Sequence, residues 1–242
     1  MAAIYLIRHG QASFGKADYD QLSDKGMQQA ELLGQYWQSL VMPDKFFSGD
    51  LLRHNQTLKQ FSVGHKSEHT PTIIHSGFNE LDHVDILTCY NAQWHNLAQM
   101  SAEINRLKNP NTTFQKEFTQ AINRWISGDF NQEYKESWQQ FKNRCVQALH
   151  NIIQQELTNN RPENSRQTKA SKDILVFTSG GTISVILQHI LQLQDKQALQ
   201  ISQQLRNTSV SKLLFSGNNL SVDYLNNYSH LELAGADWVT FR

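Results

Sequence analysis

A chain of 242 residues with 22 basic and 22 acidic side chains is long enough for one substantial core, and its balanced charge gives no source for the counterion release that drives nucleic-acid binding. Apolar residues at 39% and charged residues at 18% exclude a disordered or collagen-like chain. No apolar run approaches the roughly 18 to 20 residues of a membrane span, and the first residues lack a charged, cleavable leader, so a cytoplasmic protein with no membrane or nucleic-acid partner is expected.

The first element is "IYLI" (Ile4 to Ile7), an unbroken apolar run of the kind found in a parallel strand covered on both faces, and it ends in Arg8, His9 and Gly10. "LSDKGMQQAELLGQYWQSL" follows, with Ser23 as N-cap and apolar residues at helical intervals. "DKFFSGDLLRHNQTLKQF" repeats the scheme: a short strand at Phe46 and Phe47, a polar turn, then a helix that carries Arg53 and His54. A third apolar run at Thr72 to His75 leads into a loop holding Glu80, Asp82, His83 and Asp85.

From about residue 87 to 157 the spacing of Trp94, Phe118, Trp125, Trp138, Phe141 and Ile153 is helical throughout, which reads as a helical insertion. The polar stretch 158–172 reads as a surface loop. "DILVFTSGGTISVILQHIL" then returns to strand, turn and helix, and "KLLFSGNNLSVDYLN" predicts two short strands joined at Gly-Asn-Asn. The alternation predicts one α/β domain over 1–242, a three-layer sandwich around a mainly parallel sheet. Cys89 and Cys145 lack CxxC or metal-type spacing and are read as reduced thiols, and no metal site is expected.

In such a sheet, ligands bind where loops leave the carboxyl ends of the strands, which places Arg8, His9, Arg53, Glu80 and Ser179 at one edge. Two guanidinium forks suit a phosphoryl group, and the helix amino end after Ser48 to Asp50 would add N–H groups. A histidine between two arginines is kept neutral, so that a ring nitrogen can attack phosphorus. Glu80 is the candidate acid for the leaving group, with Asp82 and Asp85 as alternatives on the same loop. Trp94 and Trp125 read either as liners of a specificity pocket or, as aromatics at helical spacing, as core.

These residues carry a resemblance. "LIRHGQA" resembles the Arg-His-Gly signature of the histidine phosphatase superfamily, the phosphoglycerate-mutase-like family, and "LSDKGMQQA", "FSGDLLRHNQT", "GFNELD", "LRNTSVSKLLF" and "LNNYSHL" resemble later segments of its pattern. The resemblance implies the phosphoglycerate-mutase-like fold and a phosphomonoesterase whose substrate is a small phosphorylated molecule or a phosphoprotein. It implies that His9 is phosphorylated, that Arg8 and Arg53 bind the transferring group, and that Glu80 donates the proton. Water then releases phosphate, with no metal or organic cofactor.

The departure is Ser179, which stands before Gly180 and Gly181 where the family pattern has a second histidine. Three accounts compete. Another histidine fills the volume, with His83 preferred, because His54, adjacent to Arg53 on one helix, should point away from it. Alternatively, Thr178, Ser179 and the N–H groups of Gly180 and Gly181 hold phosphate in a slower phosphatase. In the third account the chain is an inactive relative that binds a phosphorylated ligand or partner. A mutase is disfavoured, because Arg-His-Gly continues here as Gln-Ala-Ser-Phe-Gly rather than Glu-Ser, one residue, Trp-Asn.

Overall fold

The computed structural model describes residues 2–13, 20–94, 97–104, 106, 109–159, 172–217 and 219–241. Most of the polar loop expected at 158–172 lies outside these residues. In chain order the elements are β1 (Ala2–Arg8), α1 (Asp24–Trp37), β2 (Lys45–Ser48), α2 (Leu52–His65), β3 (Thr72–Ile74), α3 (His83–Tyr90), α4 (Leu97–Ile104), α5 (Pro110–Ser127) and α6 (Trp138–Asn159). They continue as β4 (Asp173–Thr178), α7 (Gly180–Leu191), α8 (Asp195–Gln204), β5 (Val210–Ser216), β6 (Asn219–Asn227) and α9 (Ser229–Ala234).

One compact unit comprises Met1–Glu80 and Arg144–Arg242. Its sheet has the order β3-β2-β4-β1-β5-β6, parallel across β3, β2, β4 and β1 and antiparallel from β1 to β5 and from β5 to β6. The central strands β1 and β4 are buried along almost their full length, as their unbroken apolar runs require, whereas the edge strand β6 alternates between half-buried and exposed. Tyr5, Ile7, Leu33, Trp37, Phe46, Phe61 and Phe177 form a core on which aromatic rings meet edge to face, Phe46 lying 5.9 Å from Phe61 and 5.7 Å from Phe177. Ser23 caps α1 as expected, its hydroxyl accepting from Gly26 N–H at 3.1 Å. The first nine residues of α7, Gly180–Gln188, are buried on all sides, which suits a sequence with no charged side chain there.

The second unit, Leu81–Asn143, is helical and has its own core. It begins earlier than the expected 87 and ends within α6 rather than at 157. Trp125 belongs to that core: its ring meets Trp138 at 5.2 Å and Phe141 at 5.7 Å, and its indole N–H donates to Glu136 O at 2.8 Å. Trp94 is buried too, donating to Glu103 Oε2 at 2.7 Å. The core reading of these two rings holds, and the pocket-liner reading is dropped. No helix among the described residues is long and apolar enough to cross a membrane.

Candidate active site

The turn after β1 is held from every side. Arg8 pairs with Thr178 in the parallel register, and His9 N–H donates to Thr178 O at 2.9 Å. His9 O accepts from Thr208 N–H at 3.3 Å and from Asn207 Nδ2 at 3.2 Å. Gly10 N–H donates to the Thr57 hydroxyl at 3.1 Å. A Cβ on Gly10 would stand 2.3 Å from Gly26 O, and one on Gly26 would stand 2.1 Å from Gln11 O, so two glycines let this turn lie directly on the start of α1.

The His9 ring is buried, with Nδ1 2.7 Å from Gly10 O. A carbonyl only accepts, so Nδ1 carries the hydrogen and the neutral ring keeps its lone pair on Nε2. Burial, and then the charges of Arg53, Arg8 and His54, hold His9 well below the ordinary imidazole range. The side chain is therefore an imidazole rather than an imidazolium, with Nε2 uncommitted to the turn.

Both expected arginines flank it. Arg8 donates through Nη1 to Leu205 O, and its Nε lies 3.5 Å from where a Cβ on Gly180 would be, which brings its guanidinium to the start of α7. Arg53, on the first turn of α2, is 7% exposed and pairs with Asp20 Oδ1 at 2.5 Å. Asp20 also accepts from Leu52 N–H at 2.8 Å, so this carboxylate takes part of the helix amino end that was expected to serve a ligand.

Glu80 closes the site from the loop after β3. Its Oε2 accepts from Gly181 N–H at 3.1 Å, on the first turn of α7. The Thr178 hydroxyl donates to Phe78 O at 2.5 Å and the Thr182 hydroxyl to Asn79 O at 2.8 Å, stitching the Glu80 loop to the turn after β4. These bonds correct one expectation: Thr178 and Gly181 N–H hold the protein together here and are not offered to a phosphate. Asp82 caps α3 through Val84 and Asp85 N–H, and Asp85 accepts from Lys135 N–H at 2.9 Å, so both alternatives to Glu80 serve the fold of the helical unit.

Ser179 and Gly180 open α7, and the Ser179 side chain does not cap that helix. Its Oγ instead lies 2.6 Å from His54 Nε2, both residues fully buried. His54 also lies beside His9, the two ring centroids 5.9 Å apart. His83, the residue preferred for this part, is the first residue of α3 in the helical unit. The adjacent-residue rule was sound in its geometry and misleading in its conclusion. The His54 ring does diverge from the Arg53 side chain, yet Arg53, His54 and Thr57 are all buried on α2, and the divergence takes the ring inward to Ser179.

Sequence reasoning missed Asp20, Thr57 and Asn207 as supports of the site. Thr57 and Asn207 lie inside segments quoted for the resemblance, so a signal was available for them; Asp20 lies in none of those segments. Among the described residues, no group of three or more His, Cys, Asp or Glu side chains could hold a metal ion.

Comparison with known proteins bears on the family and the fold. The family model described as the histidine phosphatase superfamily (branch 1) matches residues 4–112 and 103–228. No curated protein matches the chain by sequence. Among solved structures, YhfR of Bacillus stearothermophilus superposes with a TM-score of 0.66 at 15% identity, covering 95% of this chain and 99% of that one. A phosphoglycerate mutase from Bacillus anthracis gives 0.63 at 17% identity, covering 95% and 94%. A phosphoserine phosphatase from Entamoeba histolytica, in complex with 3-phosphoglyceric acid, gives 0.61 at 17%, covering 96% and 100%. At these identities the structures speak for the fold.

Proposed function

We propose, for a chain that belongs to the histidine phosphatase superfamily (branch 1), that it is a cytoplasmic phosphomonoesterase working through a phosphohistidine at His9. The observation that carries this reading is the state of His9: neutral, with Nδ1 tied to Gly10 O and Nε2 left with its lone pair, between Arg8 and Arg53. In the first half-reaction Nε2 forms a bond to phosphorus and the ester P–O bond breaks. Arg8 and Arg53 take the negative charge of the equatorial oxygens, and Glu80, entering protonated, gives its proton to the leaving oxygen. In the second half-reaction water attacks phosphorus and returns a proton to Glu80. The N–P bond breaks, releasing inorganic phosphate and regenerating His9. The substrate is a small phosphorylated molecule or a phosphoprotein.

A second reading, a relative that binds phosphorylated ligands without turning them over, draws support from Ser179, an uncharged hydroxyl where the family pattern has a second histidine. Hydrolysis of a generic aryl phosphate at mildly acidic pH, with His9→Ala as control, separates the two. Turnover that depends on His9, with acid-labile phosphate trapped on the protein, supports the enzyme. Stabilisation by phosphate or vanadate without any turnover supports the binding protein, and turnover that survives His9→Ala removes the nucleophile assignment.

A further inference from the structure

We propose that His54 is the second imidazole of this site: a positioning residue, supplied from α2, that acts through Ser179. The inference rests on the phosphotransfer reading above in that it gives the pair a phosphoryl group to serve. His54 is fully buried, its Nε2 lies 2.6 Å from Ser179 Oγ, and its Nδ1 has no hydrogen-bond partner. A buried imidazole nitrogen without a partner is a cost that an apolar side chain would avoid, and such groups concentrate where chemistry is done. The space for it is specific, since a Cβ on Gly49 would come within 2.3 Å of that Nδ1.

The chemistry follows from the donor inventory. The neutral ring has one N–H. With that hydrogen on Nε2, His54 donates to Ser179 Oγ, and the serine hydroxyl must direct its own hydrogen elsewhere. Ser179 does not cap α7, and it follows Thr178, whose strand register with Arg8 puts His9 and Ser179 side by side at the sheet edge. The acceptor for that hydrogen is a phosphoryl oxygen on His9. A serine side chain extended by one hydrogen bond reaches about as far from the backbone as a histidine side chain does, so serine and ring together fill the part of one histidine at 179. By fixing the hydroxyl in advance, His54 turns a free rotor into an oriented donor of the kind that favours a transition state over the ground state.

The test is a cycle of His54→Ala, Ser179→His and the double variant, with His54→Gln as the conservative replacement, each checked for folding by thermal denaturation. We expect His54→Ala to lower kcat on an aryl phosphate about 100-fold while KM moves by less than about threefold. His54→Gln, which keeps an N–H, should stay within about tenfold of the wild type. Ser179→His alone crowds two rings into one volume and should lose activity. The double variant, with one ring again, should return to within about tenfold of the wild type, a non-additivity that marks a shared role. A His54→Ala enzyme as active as the wild type, or a double variant no better than His54→Ala, overturns the proposal. If His54→Ala does not fold, His54→Gln and the double variant decide by the same criteria. If the wild type hydrolyses no phosphate ester, the phosphatase reading fails by itself, and orthovanadate affinity across the same proteins decides this one. Weakening in His54→Ala that the double variant restores supports it, and equal affinities overturn it.

Discussion

The turns after β1 and β4 leave neighbouring parallel strands at the same edge of the sheet, yet they are furnished in opposite ways. The first carries its imidazole on its own backbone, at His9, and draws only supports from elsewhere: Thr57 from α2 and Asn207 from the segment before β5. The second carries a short hydroxyl and takes its ring from α2. A site is specified by which groups occupy a volume, and a helix packed over two strand ends can deliver a group to either of them.

The largest loss is expected at the first turn. His9→Ala should abolish turnover, a loss of about four orders of magnitude or more in kcat/KM, measured on an aryl phosphate together with the disappearance of acid-labile phosphate. Arg53→Ala removes a bidentate charge and should cost about a thousandfold. Arg53→Lys should recover little of this loss, because a point charge does not reproduce the fork. Ser179→Ala, which acts on the second turn alone, should cost on the order of a hundredfold in kcat. If it costs as much as His9→Ala, the two turns are not unequal in the way described.

A thermal test asks whether both turns hold their rings neutral. Burial, joined at His54 by the Arg53 charge, holds His9 and His54 well below the ordinary imidazole range, and burial lowers His230 to about 3. Above about pH 7.5 the rings are neutral in folded and unfolded chains alike and add almost no pH dependence. Below that pH the unfolded chain binds protons that the folded chain refuses, so stability falls with pH, by about 2 kcal/mol at pH 5 for His230. Melting curves between pH 7 and pH 5 should show this loss, and His9→Ala, His54→Ala and His230→Asn should each flatten it. A His54→Ala variant with the full wild-type slope would mean that the second ring is not held neutral. The smallest effect is expected for Thr57→Val, which leaves Gly10 N–H buried without its acceptor. It should cost about 1 kcal/mol, or 2 to 4 °C in the melting midpoint.

Much of this was open to reading from residues alone, for identifiable reasons. Strands covered on both faces must be apolar throughout, so β1 and β4 announce themselves, and their ends fix the edge on which Arg8, His9 and Ser179 lie. Glu80 was placed by the loop that follows the third strand. The helix α8 escaped because its glutamine-rich sequence buries Ala198 and little else, leaving scant periodicity to detect. His54 escaped for a different reason. Helical periodicity says which neighbours share a face, but which face turns to the core depends on how α2 packs against β4 and α1, and that is a long-range property.

The clasp on His9 has a consequence for the order in which the molecule is made. Asn207, which holds the His9 carbonyl, is itself held by Thr240: its N–H donates to Thr240 O at 2.9 Å and its Oδ1 accepts from the Thr240 hydroxyl at 2.8 Å. Gln29 reaches from α1 to that same hydroxyl at 2.8 Å and accepts from Gln11 N–H at 3.0 Å. His9 is thus made long before Asn207 and Thr240 and must wait for both before its turn is complete. A nascent or truncated chain that stops short of residue 240 carries His9 without the frame that aims it.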